Sequence, residues 1–467
     1  MKVTSLDNPV KVDWFFEQGC RLDPAPYLSG ALEARKRLEA LPNTVRLDAV
    51  TNSIHHAGRF SRRWVENSEH GVPFFSSTDI LEADYSYLPY VAKSAAKENP
   101  QLLIRPRWTL VTRSGTVGRI AYARPDIDGF ACSEHVMRVL PNEKKIPAGY
   151  LNTFLRSRFG IPMIVSSAYG AIVQHIEPHH LVDLPVPRFD ADLEHRIHDL
   201  VEEAARLRAG FQASLNAATE DFFRSVGLPE LIDYRWHEQE PDLGFVVSGL
   251  SSSTLRALNF SPRAQLLIQK LKSVEHRSLG QICENGVLSR GIRFKRIDAD
   301  EEHGVPLIGQ RQAFWSRPEG RLISRGALPA EVFAKDETIL VASQGTLGER
   351  EVYCRAILVT GTWLDHAYSE HFLRIDSGDS EVPGAYLFAF LRSEPAFRLF
   401  RSVSTGGKQQ DIHEGLRSGI PVPTARYADR LRIAETVRHA FRDRDRADVL
   451  EDEALDLLTK AVEGAEV

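Results

Sequence analysis

The stretch RWTLVTRSGTVG at residues 107–118 has a counterpart in ETILVASQGTLG at residues 337–348, about 230 residues further along the chain. Other segments repeat in the same order at similar offsets. They are GVPFF at 71–75 with GVPLI at 304–308, SEHVMRV at 133–139 with SEHFLRI at 369–375, PAGYLNTFLRSRF at 147–159 with PGAYLFAFLRSEP at 383–395, LPVP at 184–187 with IPVP at 420–423, and, more weakly, RLDPAPYLS at 21–29 with RALNFSPRA at 256–264. Solenoid units span only about 20–50 residues, so the chain is interpreted as a tandem duplication of one large unit.

Each copy is predicted to mix strands and helix. The apolar runs TLVT, VMRVL, TILVA and HFLRI are bounded by glycine and proline and predict short strands. The segments YLNTFLRSRF and YLFAFLRSEPAFRLF predict one short helix in each copy.

A long helix is predicted after each copy, because apolar residues recur there at intervals of three and four. The first stripe is Leu193, Ile197, Leu200, Ala204, Leu207, Phe211, Leu215, Ala218 and Phe222, and the second is Leu431, Ala434, Val437, Phe441, Leu450, Leu455 and Leu458. Each helix would be about 50 Å long, which is too long for one globular unit to cover. We therefore expect the two helices to pair as an antiparallel coiled coil rather than to act as ordinary core helices.

The predicted fold class is therefore α+β, a tandem duplication of a mixed α/β domain in which each copy is followed by a long helix. The predicted divisions are 1–188 for the N-terminal segment and first globular copy, 189–223 for the first long helix, 224–255 for a linker, 256–423 for the second copy, and 424–467 for the second long helix and C-terminal tail.

Composition is that of an ordinary globular protein, with 467 residues, 43% hydrophobic and 26% charged. The formal net charge of −5 excludes a surface that is basic throughout, although local basic patches remain compatible with it. The cysteines are scattered without a C-x-x-C pair, which indicates a reducing compartment and no zinc site. With no apolar run of about 18 residues and no signal-peptide pattern, we expect a soluble, cytoplasmic protein that does not enter a membrane.

Familiar catalytic motifs are missing from the sequence. TRSGTVGR at 112–119 lacks the Lys-Ser or Lys-Thr pair of a nucleotide loop, and its glycines are interpreted as a structural turn. No dinucleotide, zinc-protease or hydrolase motif is present, nor is the D/N-P-P-Y/F loop of amino-methyltransferases. Glu134-His135 and Glu370-His371 recur in both copies, and we interpret them as a hydrogen-bond node that holds a turn rather than as an acid–base pair. We expect no catalytic residue, metal site or cofactor in this chain.

Local positive charge is present instead. HHAGRFSRRW at 55–64 and SRGIRFKR at 289–296 each precede the GVP segment of their own copy, and a further run of arginines follows Gln101. Two basic clusters at matching places favour contacts to the phosphates of DNA over solvated loops, and Gln and Arg side chains can also pair with base edges. The predicted DNA-binding residues are Arg59, Arg62, Arg63, Arg107, Arg113, Ser114, Thr116, Arg119, Arg290, Arg293, Lys295, Arg296, Gln310, Arg311, Gln344, Thr346, Lys408, Gln409 and Gln410.

With these motifs the sequence resembles the specificity subunits of type I restriction–modification systems. The resemblance rests on the duplicated G-V-P, S-G-T-V-G or Q-G-T-L-G and Y-L-x-x-F-L elements, and on the closing segments IEPHHLVDLPVP at 176–187 and IHEGLRSGIPVP at 412–423, each followed by a long helix. It covers nearly the whole chain. The entry segment of the second copy and the loops SSAYGAIVQHI and STGGKQQDI depart from a strict repeat.

The resemblance implies a non-catalytic protein with two target recognition domains, each reading one half of a bipartite, asymmetric site in double-stranded DNA. It also implies two modification subunits as partners, which carry S-adenosylmethionine and methylate adenine, and in many systems an ATP-dependent restriction subunit. Two other hypotheses stay open. The first is that the chain is a nuclease or fused methyltransferase with diverged motifs. The second is that it is a protein–protein scaffold that lost DNA binding.

Overall fold

Two compact units make up the chain. Unit 1 comprises Met1–Glu82, Leu88–Ala209 and Arg446–Val467, and unit 2 comprises Ala83–Tyr87 and Gly210–Asp445. The structure, a computed structural model, describes residues 10–17, 20–22, 24–168, 174–248 and 253–465. The middle of the predicted loop SSAYGAIVQHI, residues 169–173, lies outside the described residues.

The first copy of the duplicated segments lies in unit 1. Its α-helices are α1 (Val12–Glu17), α2 (Ala25–Leu28), α3 (Ala31–Glu39), α4 (Leu47–Val50), α5 (Lys93–Glu98), α6 (Ala148–Arg156) and α7 (Gly160–Ser166). Its strands are β1 (Thr44–Arg46), β2 (Thr51–His56), β3 (Trp64–Val65), β4 (Gly71–Phe75), β5 (Tyr90–Ala92), β6 (Thr109–Thr112), β7 (Ile120–Tyr122), β8 (Ala131–Cys132), β9 (Val136–Pro141) and β10 (Pro185–Pro187). The long helix α8 (Ala191–Ser225) follows.

The second copy lies in unit 2 and precedes the long helix α14 (Tyr427–Gly464). Its other α-helices are α9 (Pro262–Lys272), α10 (Leu279–Ile282), α11 (Gly384–Leu391), α12 (Glu394–Ser402) and α13 (Glu414–Arg417). Its strands are β11 (His276–Ser278), β12 (Val287–Arg290), β13 (Gly304–Ile308), β14 (Arg321–Ser324), β15 (Thr338–Ala342), β16 (Gln344–Gly345), β17 (Ala356–Val359), β18 (Ala367–Tyr368), β19 (Phe372–Asp376), β20 (Ser404–Gly406), β21 (Gln410–Ile412) and β22 (Pro421–Pro423).

The sheets confirm the duplication. Unit 1 contains an antiparallel sheet of order β2-β9-β6-β7, and unit 2 contains its counterpart of order β12-β19-β15-β17. The register also repeats, because Leu110 lies opposite Arg138 in unit 1 and Leu340 lies opposite Arg374 in unit 2. In both units the GVP strand pairs in parallel with the short strand before Ser-Glu-His, as β4 with β8 and as β13 with β18. The strands predicted from TLVT, VMRVL, TILVA and HFLRI are present.

In the second copy the segment 386–400, predicted as one helix, contains parts of two, α11 and α12. In the first copy the predicted segment 150–159 contains α6 alone, as expected, and α7 begins directly after it at Gly160. Ser157 and Ser393, between the two helices of each copy, are in the extended conformation. The Ser157 hydroxyl accepts from the backbone N–H of Gly160 (3.1 Å), and Ser393 accepts from that of Ala396 (3.3 Å). Ser393 is the N-cap of α12, and such a serine favours the start of a second helix within a segment whose apolar pattern looks continuous. Ser157 is instead the C-cap of α6, and the N-cap of α7 is Phe159.

The long helices pair in antiparallel order within each unit, as expected. In unit 1, Arg208 of α8 donates to Asp448 (2.6 Å) and Glu451 (2.9 Å) of α14, while Arg196 reaches Glu453 (3.0 Å). In unit 2 the ring centroids of Phe211 of α8 and Phe441 of α14 are 5.2 Å apart. Arg432 of α14 also donates to Asp221 of α8 (2.9 Å). The apolar residues of both stripes are buried or half-buried, except for Leu431 of the second stripe, which is 39% exposed. Among the described residues, no helix combines the length and apolarity needed to cross a membrane.

Candidate nucleic-acid interface

The repeated Ser-Glu-His segments anchor a polar site in each unit, immediately before β9 and before β19. Glu134 accepts from Arg62 (3.2 Å) and Glu370 accepts from Arg296 (2.6 Å), so each glutamate is held by an arginine of the basic loop of its own unit. His135 Nδ1 lies 2.6 Å from the hydroxyl of Ser114. The interpretation of these segments as hydrogen-bond nodes is confirmed.

In unit 1 the polar site continues to the segment before β10. Arg113 donates to the Ile176 carbonyl (3.0 Å), to the Glu134 carbonyl (3.3 Å) and to the Glu177 carboxylate. His56, the last residue of β2, places Nε2 3.3 Å from Glu177. We name this connected set the unit 1 network; its residues are His56, Arg62, Arg113, Ser114, Glu134, His135 and Glu177.

In unit 2 the same places carry different side chains. Gln344 is oriented by its neighbours: its oxygen accepts from Arg290 Nη2 (2.8 Å) and Nη1 (3.2 Å), and its nitrogen donates to His371 Nδ1 (2.6 Å). The reverse orientation would set its NH₂ group against the Arg290 guanidinium, donor against donor, and would gain only one long bond to Asp411 (3.4 Å). Arg290 Nη1 also donates to Asp411 (2.5 Å). We name this set the unit 2 network; its residues are Arg290, Arg296, Gln344, Glu370, His371 and Asp411.

The three glutamates of the two networks have pKa values lowered by their partners. Burial raises the pKa of Glu134, but its own backbone N–H and the Arg62 guanidinium outweigh burial and hold that pKa below its ordinary value. The pKa of Glu370 is lowered in the same way against burial, by its backbone N–H and by Arg296. Glu177 has a lowered pKa because Arg113 and His56 outweigh its desolvation. These three glutamates are therefore ionised at neutral pH.

Beside each network runs an exposed basic loop. The loop after β2 carries Arg59, which is exposed, and Arg63, which pairs with the exposed Glu98 (2.5 Å). The loop after β12 carries Arg293 and Lys295, both exposed. Within the described part of the chain, Arg59, Arg293 and Lys295 have no hydrogen-bond or ion-pair partner. These cations are therefore free to contact an anionic ligand such as phosphate.

Other predicted residues are committed to the fold in different ways. Arg107 donates to Glu202 of α8 (3.2 Å) and to Glu143 (2.9 Å). Arg113 is 9% exposed, and its guanidinium is bound on three sides as described above. The Gln310 amide forms two bonds with the backbone of Gln344, donating to its carbonyl (2.8 Å) and accepting from its N–H (3.1 Å). Gln410 is buried in β21.

The remaining predicted residues lie at or near the surface. Arg119 is half-buried, and its backbone N–H donates to Thr112 (2.9 Å). Arg311 is half-buried at the start of a short 3₁₀ helix, Gln312–Phe314. Exposed side chains in the two turns and in the loop between β20 and β21 are those of Thr116, Thr346, Lys408 and Gln409.

Glu349, the counterpart of Arg119 in the second copy, holds a helix in place. It accepts two bonds from Arg398 of α12 (2.9 and 2.7 Å). Desolvation raises the pKa of Glu349, but Arg398 and Arg401 outweigh it and lower the pKa to about 2. In unit 2 the negative charge of Glu349 therefore binds α12 through Arg398.

Sequence reasoning placed His371 in a hydrogen-bond node but missed three residues that complete the networks, namely His56, Glu177 and Asp411. Each lies more than a hundred residues from a partner, as with Arg290 and Asp411 or His56 and Glu177. Aligning the two copies would have placed His56 with Arg290 and Ser114 with Gln344, and that comparison is the signal from which the site could have been found.

Metal chemistry has no support in the described residues, which contain no group of three or more His, Cys, Asp or Glu side chains able to hold an ion. A cavity of about 320 Å³ lies next to the basic loop of unit 1, lined by Phe60, Ser61, Arg63, Ala95, Glu98 and Asn99. It is open to solvent, and its two charged lining residues, Arg63 and Glu98, are paired with each other.

Three solved structures of type I restriction–modification proteins are similar to this chain. The S subunit of a type I system from M. genitalium has 13% identity and a TM-score of 0.37, covering 91% of this chain and 95% of that one. The HsdS subunit from Thermoanaerobacter tengcongensis has 14% identity and a TM-score of 0.27, with 91% and 98% covered.

The third is described as the structural basis of complex assembly and conformational transition of the type I R-M system, with 14% identity, a TM-score of 0.27, and 90% and 98% covered. No family model matches the chain, and no curated protein matches it. Because every one of these TM-scores is below 0.5, we base the function on the residues of this chain.

Proposed function

We propose that this protein is a sequence-specific DNA-binding specificity subunit of a type I restriction–modification, or related methylation-associated defence, complex. One observation carries the proposal. Each unit sets a polar network of base-reading side-chain types beside a basic loop with unpaired cations, at equivalent places in a duplicated fold. Phosphate contacts position a protein on DNA and base contacts supply specificity, and both kinds of group lie together here.

The target is a bipartite and asymmetric site. Two equivalent units imply two half-sites, as symmetric DNA-binding dimers read two half-sites spaced by turns of the helix. The networks differ at matching positions, with His56 and Ser114 in unit 1 against Arg290 and Gln344 in unit 2. Different hydrogen-bonding groups at one position select different base pairs in the major groove.

Catalysis belongs to partners in this proposal. Two modification subunits would bind S-adenosylmethionine and methylate adenine, and an ATP-dependent restriction subunit would join them in a restricting complex. This chain contributes the choice of sequence and no cofactor. The absence of familiar catalytic motifs from the sequence supports this division of labour.

Binding of labelled duplexes by the full-length chain, followed by fluorescence anisotropy, tests the proposal. We expect affinity for a random-sequence duplex to fall about a hundredfold between about 50 and 200 mM salt, the loss that four phosphate contacts give by counterion release. Selection from a randomised duplex library should then enrich a two-part consensus. Salt-independent binding would support the scaffold hypothesis and contradict ours.

Methyl transfer tests the division of labour. The chain alone, with S-adenosylmethionine and enriched duplex, should transfer no methyl group, whereas an affinity-tagged chain should recover two copies of an adenine methyltransferase from its host. Transfer or cleavage by the isolated chain would establish the diverged-enzyme hypothesis instead.

A further inference from the structure

Arg290 is held by two side chains, Gln344 and Asp411, beside the basic loop of unit 2. It is the last residue of β12, the edge strand of the main sheet of unit 2, and it directly precedes the exposed loop with Arg293 and Lys295. Its side chain is about one-third exposed, with 33% of its surface open to solvent. It is therefore fixed by the sheet at one end and reachable by a ligand at the other.

The donors of Arg290 can be assigned one by one. A guanidinium has five N–H groups, two on each Nη and one on Nε. The oxygen of Gln344 accepts from Nη1 (3.2 Å) and Nη2 (2.8 Å), which occupies the fork at the end of the group. Asp411 accepts the second Nη1 hydrogen at 2.5 Å. Among the described residues, the Nε–H and the other Nη2 hydrogen have no acceptor.

Those two remaining hydrogens point in the same direction and form the lateral fork of the guanidinium. A fork of two parallel N–H donors matches two acceptors side by side, and in the major groove the N7 and O6 atoms of guanine provide that pair. Adenine offers one acceptor and one donor at the same edge, and it does not match. The arrangement is pre-organised, because Asp411 and Gln344 already hold the rotamer that a free arginine would have to adopt.

Charge separates this role from a phosphate contact. The ion pair with Asp411 leaves Arg290 in a locally neutral pair, and the carboxylate would repel a phosphate approaching the same group. Arg293 and Lys295 carry unpaired charge in the adjacent loop. Phosphates are thus better bound by the loop, and a neutral base edge is better bound by Arg290.

The equivalent residue in unit 1 lacks such a fork. Both ring nitrogens of His56 face oxygens of the protein, the Ala57 carbonyl at 3.0 Å and the Glu177 carboxylate at 3.3 Å. Neither nitrogen is left for two parallel bonds to a base. The unit 1 half-site consequently has no guanine requirement at the matching position.

The geometry points to Arg290 as a specificity-determining residue that reads one guanine, through its lateral fork, in the half-site bound by unit 2. This inference rests on the proposed function and names the base that the unit 2 network selects.

Selection from a randomised duplex library by the full-length chain tests it, comparing wild type with Arg290→Lys. Lysine keeps the positive charge and loses the fork. Wild type should require guanine at one position of one half-site. The variant should lose about tenfold or more of that preference at this position alone, with the other half-site unchanged.

Arg277→Lys is the matched control, because Arg277 of β11 is also an arginine of unit 2 paired with an acid, Asp379, and has similar exposure at 36%. It should leave the consensus unchanged. Asp411→Asn is the second variant, which keeps Arg290 and removes one of its supports; it should weaken the guanine preference without abolishing it. Circular dichroism melting identifies any variant that fails to fold. If Arg290→Lys fails to fold, the guanine preference of Asp411→Asn tests the inference instead.

The outcomes separate the two proposals. If Arg290→Lys keeps the guanine preference, or loses affinity equally for all sequences as a phosphate contact would, the inference about Arg290 is overturned while specific DNA binding stands. If wild type enriches no consensus at all, the proposed function fails with it.

Discussion

Arginines in this protein have two opposite uses that the sequence does not distinguish. Arg138 and Arg374 occupy equivalent places in the two main sheets, and both are buried. Arg138 donates to the carbonyls of Ser133 (2.9 Å), Val136 (2.6 Å) and Leu102 (3.2 Å), and Arg374 donates to those of Val332 and Phe333. Burial lowers the pKa of Arg138, since its charge has carbonyl dipoles rather than a paired carboxylate to compensate it. Arg138 therefore holds the segment around Ser133 and Val136, and Arg374 holds the end of the short 3₁₀ helix Ala330–Val332.

We expect Arg138→Met to lower the free energy of unfolding by about 2–4 kcal/mol, because it leaves several buried carbonyls without a donor. Urea denaturation followed by tryptophan fluorescence measures the change. Arg105→Met, at an exposed arginine paired with Asp128, is the control and should change stability by less than about 1 kcal/mol. Equal losses for both variants would show that the carbonyl contacts of Arg138 do not stabilise the fold.

At the scale of elements, each sheet domain is attached to a long helix of its own unit by an ion pair of opposite polarity. Arg107, just before β6, donates to Glu202 of α8 (3.2 Å), whereas its counterpart Glu337, before β15, accepts from Arg438 of α14 (2.5 Å). Both residues have positive φ, 69° and 61°, which is uncommon for side chains other than glycine. The strained backbone and the contact with the helix are thus conserved between copies while the charges are exchanged.

Because the two units carry this ion pair in opposite polarity, we expect that the Arg107–Glu202 pair of unit 1 can be inverted. Arg107→Glu should lower Tm by about 2–4 °C, because the new carboxylate faces both Glu202 and Glu143. Arg107→Glu combined with Glu202→Arg should recover most of the loss by adopting the polarity of unit 2. Differential scanning calorimetry measures both. A double variant no more stable than Arg107→Glu alone would contradict a direct ion pair. The single variant Glu202→Arg completes the double-mutant cycle.

At the scale of the whole molecule, the duplication allows the two half-sites to be altered separately. Arg59 in unit 1 and Arg293 in unit 2 are exposed cations in equivalent basic loops, neither of which has a protein partner within the described residues. Each is expected to neutralise one phosphate in its own half-site. Residues of separate units that share no contacts contribute additively.

Arg59→Ala and Arg293→Ala should each reduce the slope of log affinity against log salt by about 0.9, and the double variant by about 1.8. Neither change should alter the selected consensus, since phosphates carry no sequence information. Anisotropy titrations at several salt concentrations measure the slopes. An unchanged slope in both single variants would place the DNA on another surface.

Local pattern was enough to predict much of the architecture. The duplication, the strands and the two long helices follow from periodicity and turn residues, which act over a few neighbouring positions. The break at Ser393 in the second copy was missed, because its N-cap lies within a continuous apolar pattern. Pairing of the long helices could be expected because their exposed apolar stripes needed cover.

The sequence by itself determined that two equivalent units carry basic loops and differing polar side chains. Only the tertiary structure decided which of those side chains remain available to a ligand. Arg113 is bound on three sides by Glu177 and two carbonyls, Arg62 is bound by Glu134 through Nη2 alone, and Arg290 is held at its end fork with its lateral fork left open. The physical reason is distance along the chain: these partners lie tens to more than a hundred residues apart in sequence, and only folding of the sheet brings them within hydrogen-bonding range.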